Sequence, residues 1–243
     1  MLIVKLDATD STNRYLKELL LSEEAEDFTV VTAKEQLHGR GQRGAKWESE
    51  SGKNLTISVL KKFKQFPISN QFMLNVCVSL AVLDTLNGLR IPDLTVKWPN
   101  DILSGTSKIC GILIENMLNG SQIQTSIIGV GLNVNQQTFN TLSNASSLKL
   151  LLGRTLNLEE VLHQVLNNLK TNFLRLEEGL NNELWRRYES KLFRKDKPST
   201  FKDAQGNLFM GFIRKISPQG KLVVELEDAV FQEFDLKEIK LQY

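Results

Sequence analysis

The stretch from Pro67 to Leu89 most constrains what this chain can fold into. Phe72, Met73, Val76, Cys77, Leu80, Leu83 and Leu86 leave a helix here apolar on most of its sides. Such a helix has to be covered all round by other elements. We therefore expect a long core helix, stopped near Gly88, with a sheet and further helices packed about it. Three strand-like segments follow at 94–98, 108–116 and 122–132, separated by turn chemistry at Ser104-Gly105-Thr106 and Asn119-Gly120. Upstream, Phe28–Ala33 reads as a buried strand and Asn54–Leu60 alternates as another. Asp10-Ser11-Thr12-Asn13 is a cluster of N-cap residues before Tyr15, Leu16, Leu19 and Leu20, which predicts a helix over about 12–21. Residues 138–149 read as a loop. Asn157 with Glu160 resembles a capping box, predicting a helix to about 178 and a second from about 181 to 193. The expected fold class is α/β (α+β).

The composition changes at Lys195-Asp196-Lys197-Pro198. Beyond it, Asn207–Ile216, Leu222–Leu226 and Phe231–Leu236 are strand candidates. They are separated by Gly-containing turns at Ala204-Gln205-Gly206 and Ser217-Pro218-Gln219-Gly220. Short strands with such turns suggest a small barrel. The expected division is a main domain over 1–194 and a small domain over 195–243. The chain as a whole, at 41% hydrophobic and 24% charged residues, has the composition of an ordinary globular protein. A net charge of +2 is too small for a general nucleic-acid binder. Cys77 and Cys110 each lie in an apolar run, so both are expected as buried thiols and no disulfide is expected. His38 and His163 stand alone, and no Cys/His cluster has zinc spacing. No leader precedes the first motif, and no apolar run reaches the ~18 residues of a membrane span. The expectation is a cytoplasmic protein with no membrane and no nucleic-acid partner.

Function is concentrated elsewhere. His38-Gly39-Arg40-Gly41-Gln42-Arg43-Gly44-Ala45-Lys46 holds three glycines, two arginines, a lysine and no acid, and Trp47 follows at once. Glycine lets backbone N–H groups approach an anion, and arginine adds a planar fork that fits carboxylate or phosphate. The ring could stack on a flat ligand. Gly39-x-Gly41-x-x-Gly44 matches the dinucleotide pattern, but no helical period follows and Lys64 stands where an acid should grip ribose. No Gly-Lys-Ser/Thr closes a Walker loop.

Four more segments are more polar or glycine-rich than a fold requires. Ser11-Thr12-Asn13 supplies hydroxyls and an amide at a helix start. Lys97-Trp98-Pro99-Asn100-Asp101 gathers a cation, a ring and two acceptors between strands. Lys108-Ile109-Cys110-Gly111-Ile112-Leu113-Ile114-Glu115 opens an apolar strand with lysine and inserts a glycine, often a mark of close approach. Gly129 and Gly131 alternate, leaving one side of their strand bare and suited to a flat ligand.

Together these segments resemble the biotin protein ligase family (biotin–[acetyl-CoA carboxylase] ligase). The match is carried by Asp10-Ser11-Thr12-Asn13, by Gln36 with Gly39-Arg40-Gly41-x-Arg43-Gly44-x-x-Trp47, by Lys97-Trp98-Pro99-Asn100-Asp101, by Lys108-x-x-Gly111-Ile112-Leu113-x-Glu115 and by Gly129-x-Gly131-x-Asn133. They span about 10 to 135. The resemblance implies a central mixed sheet with flanking helices, like that of class II aminoacyl-tRNA synthetases, and an SH3-like C-terminal barrel. It implies an ATP- and Mg²⁺-dependent enzyme that makes biotinyl-5′-AMP and passes biotin to a lysine of a biotin carboxyl carrier protein. By position, Ser11, Thr12, Asn13, Gln36, Gly39, Gly111 and Gly129 would surround biotin. Arg40 and Lys108 would serve as the catalytic cations, touching both substrates. Gln42, Arg43, Trp47, Asn100, Asp101 and Asn133 would join them around ATP, with Trp47 stacked on adenine. The metal ligands are left unassigned, and a homodimer is left open.

Two features depart from the family. Better-known bacterial members read Gly-Arg-Gly-Arg-Arg-Gly, whereas this chain carries Gln42 at the fourth place. Either Arg43 or Lys46 compensates, or the adenylate is held less firmly. The chain also starts about ten residues before the first motif, which leads us to expect no repressor domain and no operator binding. The rival readings are lipoate protein ligase and a non-catalytic biotin-binding regulator. The loops at 38–52 and 104–107 are the expected movers.

Overall fold

Side-chain parity along two neighbouring strands sets the architecture. The computed structural model describes residues 1–22, 24–139 and 144–243, with Arg43 described by its backbone only. In chain order the elements are β1 (Ile3–Thr9), α1 (Thr12–Leu21), β2 (Val30–Gln36), β3 (Leu55–Lys62), α2 (Phe72–Gly88), β4 (Leu94–Lys97), β5 (Asp101–Ser104), β6 (Ser107–Asn119) and β7 (Gln122–Leu132). Then come α3 (Leu148–Leu152), α4 (Leu158–Glu177), α5 (Asn181–Ser190), β8 (Pro198–Asp203), β9 (Leu208–Ile216), β10 (Leu222–Glu225), β11 (Phe231–Phe234) and β12 (Ile239–Gln242). Strands β1 to β7 form one mixed sheet in the order β1-β2-β3-β7-β6-β5-β4. Only β1 and β2 run parallel, joined through α1.

Successive strand residues face opposite sides of a sheet. On β7, Ile128, Val130 and Leu132 enter the main core; on β3, Leu55, Ile57 and Val59 do the same. Helices α2 and α4 cover that face, and α5 packs against both helices. The residues between them, Ile127, Gly129 and Gly131 on β7 and Thr56, Ser58 and Leu60 on β3, face the other side. There a smaller cluster of Leu16, Ala25, Val31, Leu60 and Ile127 seats α1. Helix α1 spans only ten residues, so it covers one end of that face. The rest is the floor of the cleft described below.

The core helix lies where the sequence puts it, ending at Gly88, but it begins at Phe72 behind a short 3-10 turn over Ile68–Asn70. The strand expected at Phe28 starts instead at Val30, because Phe28 adopts φ +60 and belongs to a turn. β1, β5, β8 and β12 had no counterpart in the sequence reading. The expected loop over 138–149 gives way to α3 at Leu148, where the Ser147 side chain caps Leu150 N–H. Residues 140–143 of that expectation lie outside the described residues. Asn157 caps α4 by accepting from Glu159 and Glu160 N–H. Both cysteines are buried free thiols, and burial pushes Cys77 up to about 12.

The second sheet corrects an expectation. Its order is β11-β10-β9-β8-β12, antiparallel throughout, and no described ladder joins β11 to β12. The sheet is open rather than a closed barrel. Its two edge strands are four residues each, and Lys237 at φ +74 turns the chain from one edge to the other. This sheet is tied to the first through the β4–β5 connection: Trp98 Nε1 donates to the Gly220 carbonyl at 2.8 Å. Gly220 sits at φ +88, where an added Cβ would lie 2.6 Å from Phe72 Cγ. Glu189 accepts from Ile216 N–H at 2.9 Å, and Tyr188 donates to the Pro99 carbonyl at 3.2 Å. Among the described residues, no helix is long and apolar enough to cross a membrane.

Candidate active site

The bare glycine face carries a ring of the protein itself. An added Cβ on Gly131 would lie 2.6 Å from Trp47 Cζ2 and 2.9 Å from its Nε1; one on Gly111 would lie 3.0 Å from Cζ3. These glycines therefore let the Trp47 indole lie flat on β6 and β7. Gly129 serves a different neighbour: its added Cβ would lie 2.6 Å from Asn13 Oδ1. Trp47 makes one wall of a cleft of roughly 270 Å³.

The basic segment folds as a small hairpin that delivers this ring. Trp47 N–H donates to Gly39 O at 3.0 Å, Gly41 N–H donates to Ala45 O at 2.7 Å, and a 3-10 turn spans Gln42–Gly44. Gly39 packs against the Trp47 carbonyl with no room for a side chain. Gly44, at φ +85, makes the turn, a left-handed conformation that glycine adopts without strain. Arg40, Gln42 and Lys46 line the cleft, and the exposed Arg40 guanidinium has no ion-pair or hydrogen-bond partner among the described residues. The Arg43 side chain lies outside the described ones.

One end of the cleft is neutral and polar. Ser11 stands at the N-cap position of α1 yet makes no cap bond with its side chain. Thr12 instead donates to Gln36 Oε1, from its N–H at 2.8 Å and its hydroxyl at 3.1 Å. Ser58 Oγ lies 2.8 Å from Thr12 Oγ1 and 2.6 Å from Asn13 Oδ1. Asn13 Nδ2 donates to Glu115 Oε2 at 2.7 Å, which fixes which end of the amide faces Ser58. Hydrogen-bonding groups held in this way can meet an uncharged polar ligand head without reorganising.

The other end is cationic. Lys108 Nζ pairs with Asp101 Oδ1 at 2.6 Å and stands 5.7 Å over the Trp47 ring. The pair is mostly buried, at 29% and 20% side-chain exposure, so water screens it only partly. Asp101 thereby holds the ammonium at the cleft while offsetting its desolvation. Asn100 lines the cleft but spends its amide on the Ile112 carbonyl at 2.6 Å. Asn133 is buried, donates to the Ser146 carbonyl at 3.0 Å, and is not among the cleft-lining residues.

The structure thus brings Ser11, Thr12, Asn13, Gln36, Arg40, Gln42, Trp47, Asn100, Asp101, Lys108, Gly111 and Gly129 to one cleft. Gly39 lies just outside it, in the base of the hairpin. Thr56, which lines the cleft, and Ser58, which holds Thr12 and Asn13, had not been singled out. Ser58 and Thr56 were legible only as small polar residues on one parity of a buried strand. No group of three or more His, Cys, Asp or Glu among the described residues could hold a metal ion. Among the described residues, Asp101 is the carboxylate that lines the cleft, and it is paired with Lys108.

The cleft combines a sheet floor, a neutral polar end, a cationic end and a glycine-basic hairpin, a set of groups chemically suited to a small acid beside a polyanion. The chain belongs to the biotin/lipoate A/B protein ligase family, whose model matches residues 6–133. It is 32% identical over 131 residues to the bifunctional ligase/repressor BirA of Bacillus subtilis, covering 54% of this chain and 40% of that protein. It is 34% identical over 131 residues to the biotin–[acetyl-CoA-carboxylase] ligase of Paracoccus denitrificans, covering 53% of each. The chain thus spans well under two thirds of these curated relatives. Among solved structures, it resembles the Aquifex aeolicus biotin protein ligase in complex with biotin and ATP. That match has a TM-score of 0.83 at 27% identity, covering 99% of this chain and 98% of the other.

Proposed function

We propose that the chain is an ATP-dependent biotin protein ligase. It would activate biotin as biotinyl-5′-AMP and transfer it to a lysine of a biotin carboxyl carrier protein. The observation that carries this reading is the pairing, within one cleft, of a neutral hydrogen-bonding end at Ser11, Thr12 and Gln36 with cations at Arg40 and Lys108. Biotin has matching ends: an uncharged ureido head and a carboxylate tail. The relatives named above support this choice of acid.

In the first step a biotin carboxylate oxygen attacks the α-phosphorus of ATP. The bond from that phosphorus to the bridging oxygen breaks, and pyrophosphate leaves. Two anions must meet, so the barrier is electrostatic and preorganised cations lower it. Lys108, held by Asp101, neutralises charge where carboxylate and phosphate approach. Arg40, without an ion-pair partner among the described residues, is placed to take phosphate oxygens. Trp47 offers its ring to adenine. Asn100 and Asn133 would act through the backbone they hold, and Gln42 and Arg43 from the hairpin turn. In the second step the carrier lysine, as a free amine, attacks the acyl carbon and AMP leaves. Magnesium would travel with the ATP phosphates, and no step above runs through it.

Under this reading the larger sheet corresponds to a class II synthetase-like core over 1–194. Residues 195–243 form a small domain akin to an SH3-like barrel left open. Exchange of labelled pyrophosphate into ATP tests the proposal. Exchange with biotin and not with lipoate is expected. Exchange with lipoate alone would reassign the acid, and tight biotin binding without exchange would make the protein a regulator.

A further inference from the structure

A second cavity lies behind the Lys108–Asp101 pair, and the reaction above does not use it. It occupies roughly 190 Å³ between the two sheets. Its walls are largely apolar, including Trp98, Phe201, Ile213, Leu222 and Leu241, and they come from both sheets. Three lysines, Lys97, Lys237 and Lys240, also line it. None of the three forms an ion pair among the described residues; Lys97 Nζ rests over the Tyr243 ring at 4.7 Å. The lining has one acid, Asp101, and that carboxylate is already committed to Lys108. Apolar walls with uncompensated cations favour an anion that brings an apolar tail. The volume is below the ~300–1,000 Å³ of drug-sized sites, so the occupant is small.

We propose that this cavity binds a medium-chain monocarboxylate, with its alkyl tail between the sheets and its carboxylate at Lys97 and Lys237; Lys240 pairs in register with the exposed Lys202 and stands on the opposite side of its sheet from Leu241. The tail would replace water against Trp98 and Leu241, and the head would meet cations that lack a carboxylate partner. Asp101 lines both this cavity and the cleft, and Lys97 is its register partner across β4 and β5. The site therefore adjoins the cleft without sharing its polar end. The inference stands on the cavity alone and does not require the biotin assignment.

Octanoate serves as the probe, and the three tryptophan indole N–H signals report where it binds. Trp98 lines the cavity, Trp47 lines the cleft, and Trp185 lines neither. Titration followed by NMR should give a saturable shift of the Trp98 indole signal while Trp47 stays unmoved. Octanol, with the same tail and no charge, should bind at least tenfold more weakly. A double Lys97→Gln, Lys237→Gln variant should lose at least tenfold in octanoate affinity. Leu241→Phe, which fills the cavity without changing charge, should abolish the shift, with thermal melting checking that each variant folds. No saturable shift in the wild type, a shift at Trp47 instead, or unchanged affinity in the double variant would overturn the proposal.

Discussion

Adding one methyl group at Gly131 tests whether Trp47 is held on the glycine face as a working wall of the cleft. The new Cβ would lie 2.6 Å from Trp47 Cζ2. Comfortable carbon separations are ~3.5–4.0 Å, so the ring must retreat by about 1 Å. Overpacking of this kind costs about 1–3 kcal/mol. If the displaced ring is the adenine platform, that cost appears as weaker nucleotide binding, about 5- to 140-fold at ~1.4 kcal/mol per tenfold. Gly111→Ala is a graded control, because its closest approach to the ring is longer, at 3.0 Å, and its loss should be smaller. The decisive measurement is a double-mutant cycle on the ATP KM for pyrophosphate exchange. In a Trp47→Ala background the methyl has no ring to displace, so Gly131→Ala should there cost less than about 0.5 kcal/mol. Equal losses in both backgrounds would mean that the methyl acts on the ligand directly, and the wall argument would fall.

Three other outcomes follow from named contacts. Lys108→Ala should lower biotin-dependent pyrophosphate exchange about 10²–10³-fold while weakening biotin binding much less, and unchanged turnover would remove Lys108 from the chemistry. Lys61 is buried, with its ammonium 2.9 Å from Glu177 and 3.1 Å from Asp27 and the rings of Phe28, Phe63 and Phe173 around it. Lys61→Met should cost about 1–3 kcal/mol, below the ~3–5 of a fully buried pair because both carboxylates remain half-exposed to water. Burial pulls the Lys61 pKa down, but the hydrogen bonds to Glu177 and Asp27 outweigh it and leave it raised. Its contribution is therefore full below the ordinary lysine value of ~10.4 and fades as pH rises through the folded value. Urea melts should show a constant gap from wild type across neutral pH that narrows in strong alkali. Trp98→Phe removes the bond to Gly220 and should cost about 0.5–1.5 kcal/mol, read as a fall of a few degrees in Tm and faster proteolysis of residues beyond 195.

Much of the site was legible because its residue types are unusual for the positions they hold. The hairpin from His38 to Trp47 has too many glycines and cations for a solvated turn, and the two glycines of β7 sit on one parity. The sequence did not say what fills the bare face. Trp47 is 64 positions from Gly111 and 84 from Gly131, and no local pattern encodes a contact at that range. It also could not separate motif residues that face the ligand from those that hold the scaffold. Trp98 reads only as a ring in a polar turn, and its N–H is spent on a carbonyl of the second sheet, 122 positions away. Asn100 and Asn133 read as ligand donors, yet both amides satisfy nearby backbone. β5 was missed because it is four residues long and abuts a proline turn. β8 and β12 are short and largely exposed on one side, so they lack the apolar run that marks a buried strand.

The parity of β7 connects stability to the site more tightly than either motif does alone. Val130 and Leu132 are buried in the core against the helices, while Gly129 and Gly131 between them admit Asn13 and Trp47. A slip of one residue in the pairing of β7 with β6 or β3 would send the glycines into the core and the branched side chains into the cleft. Such a slip would empty the core and block the site at once. The hydrophobic residues that fold the sheet thereby also fix which backbone atoms floor the cleft. Val130→Ala should accordingly both destabilise the sheet, through a cavity worth about 1–3 kcal/mol, and loosen the floor on which Trp47 rests. Loss of stability with the Trp47 indole signal and nucleotide affinity unchanged would show that core and cleft are not coupled through this strand.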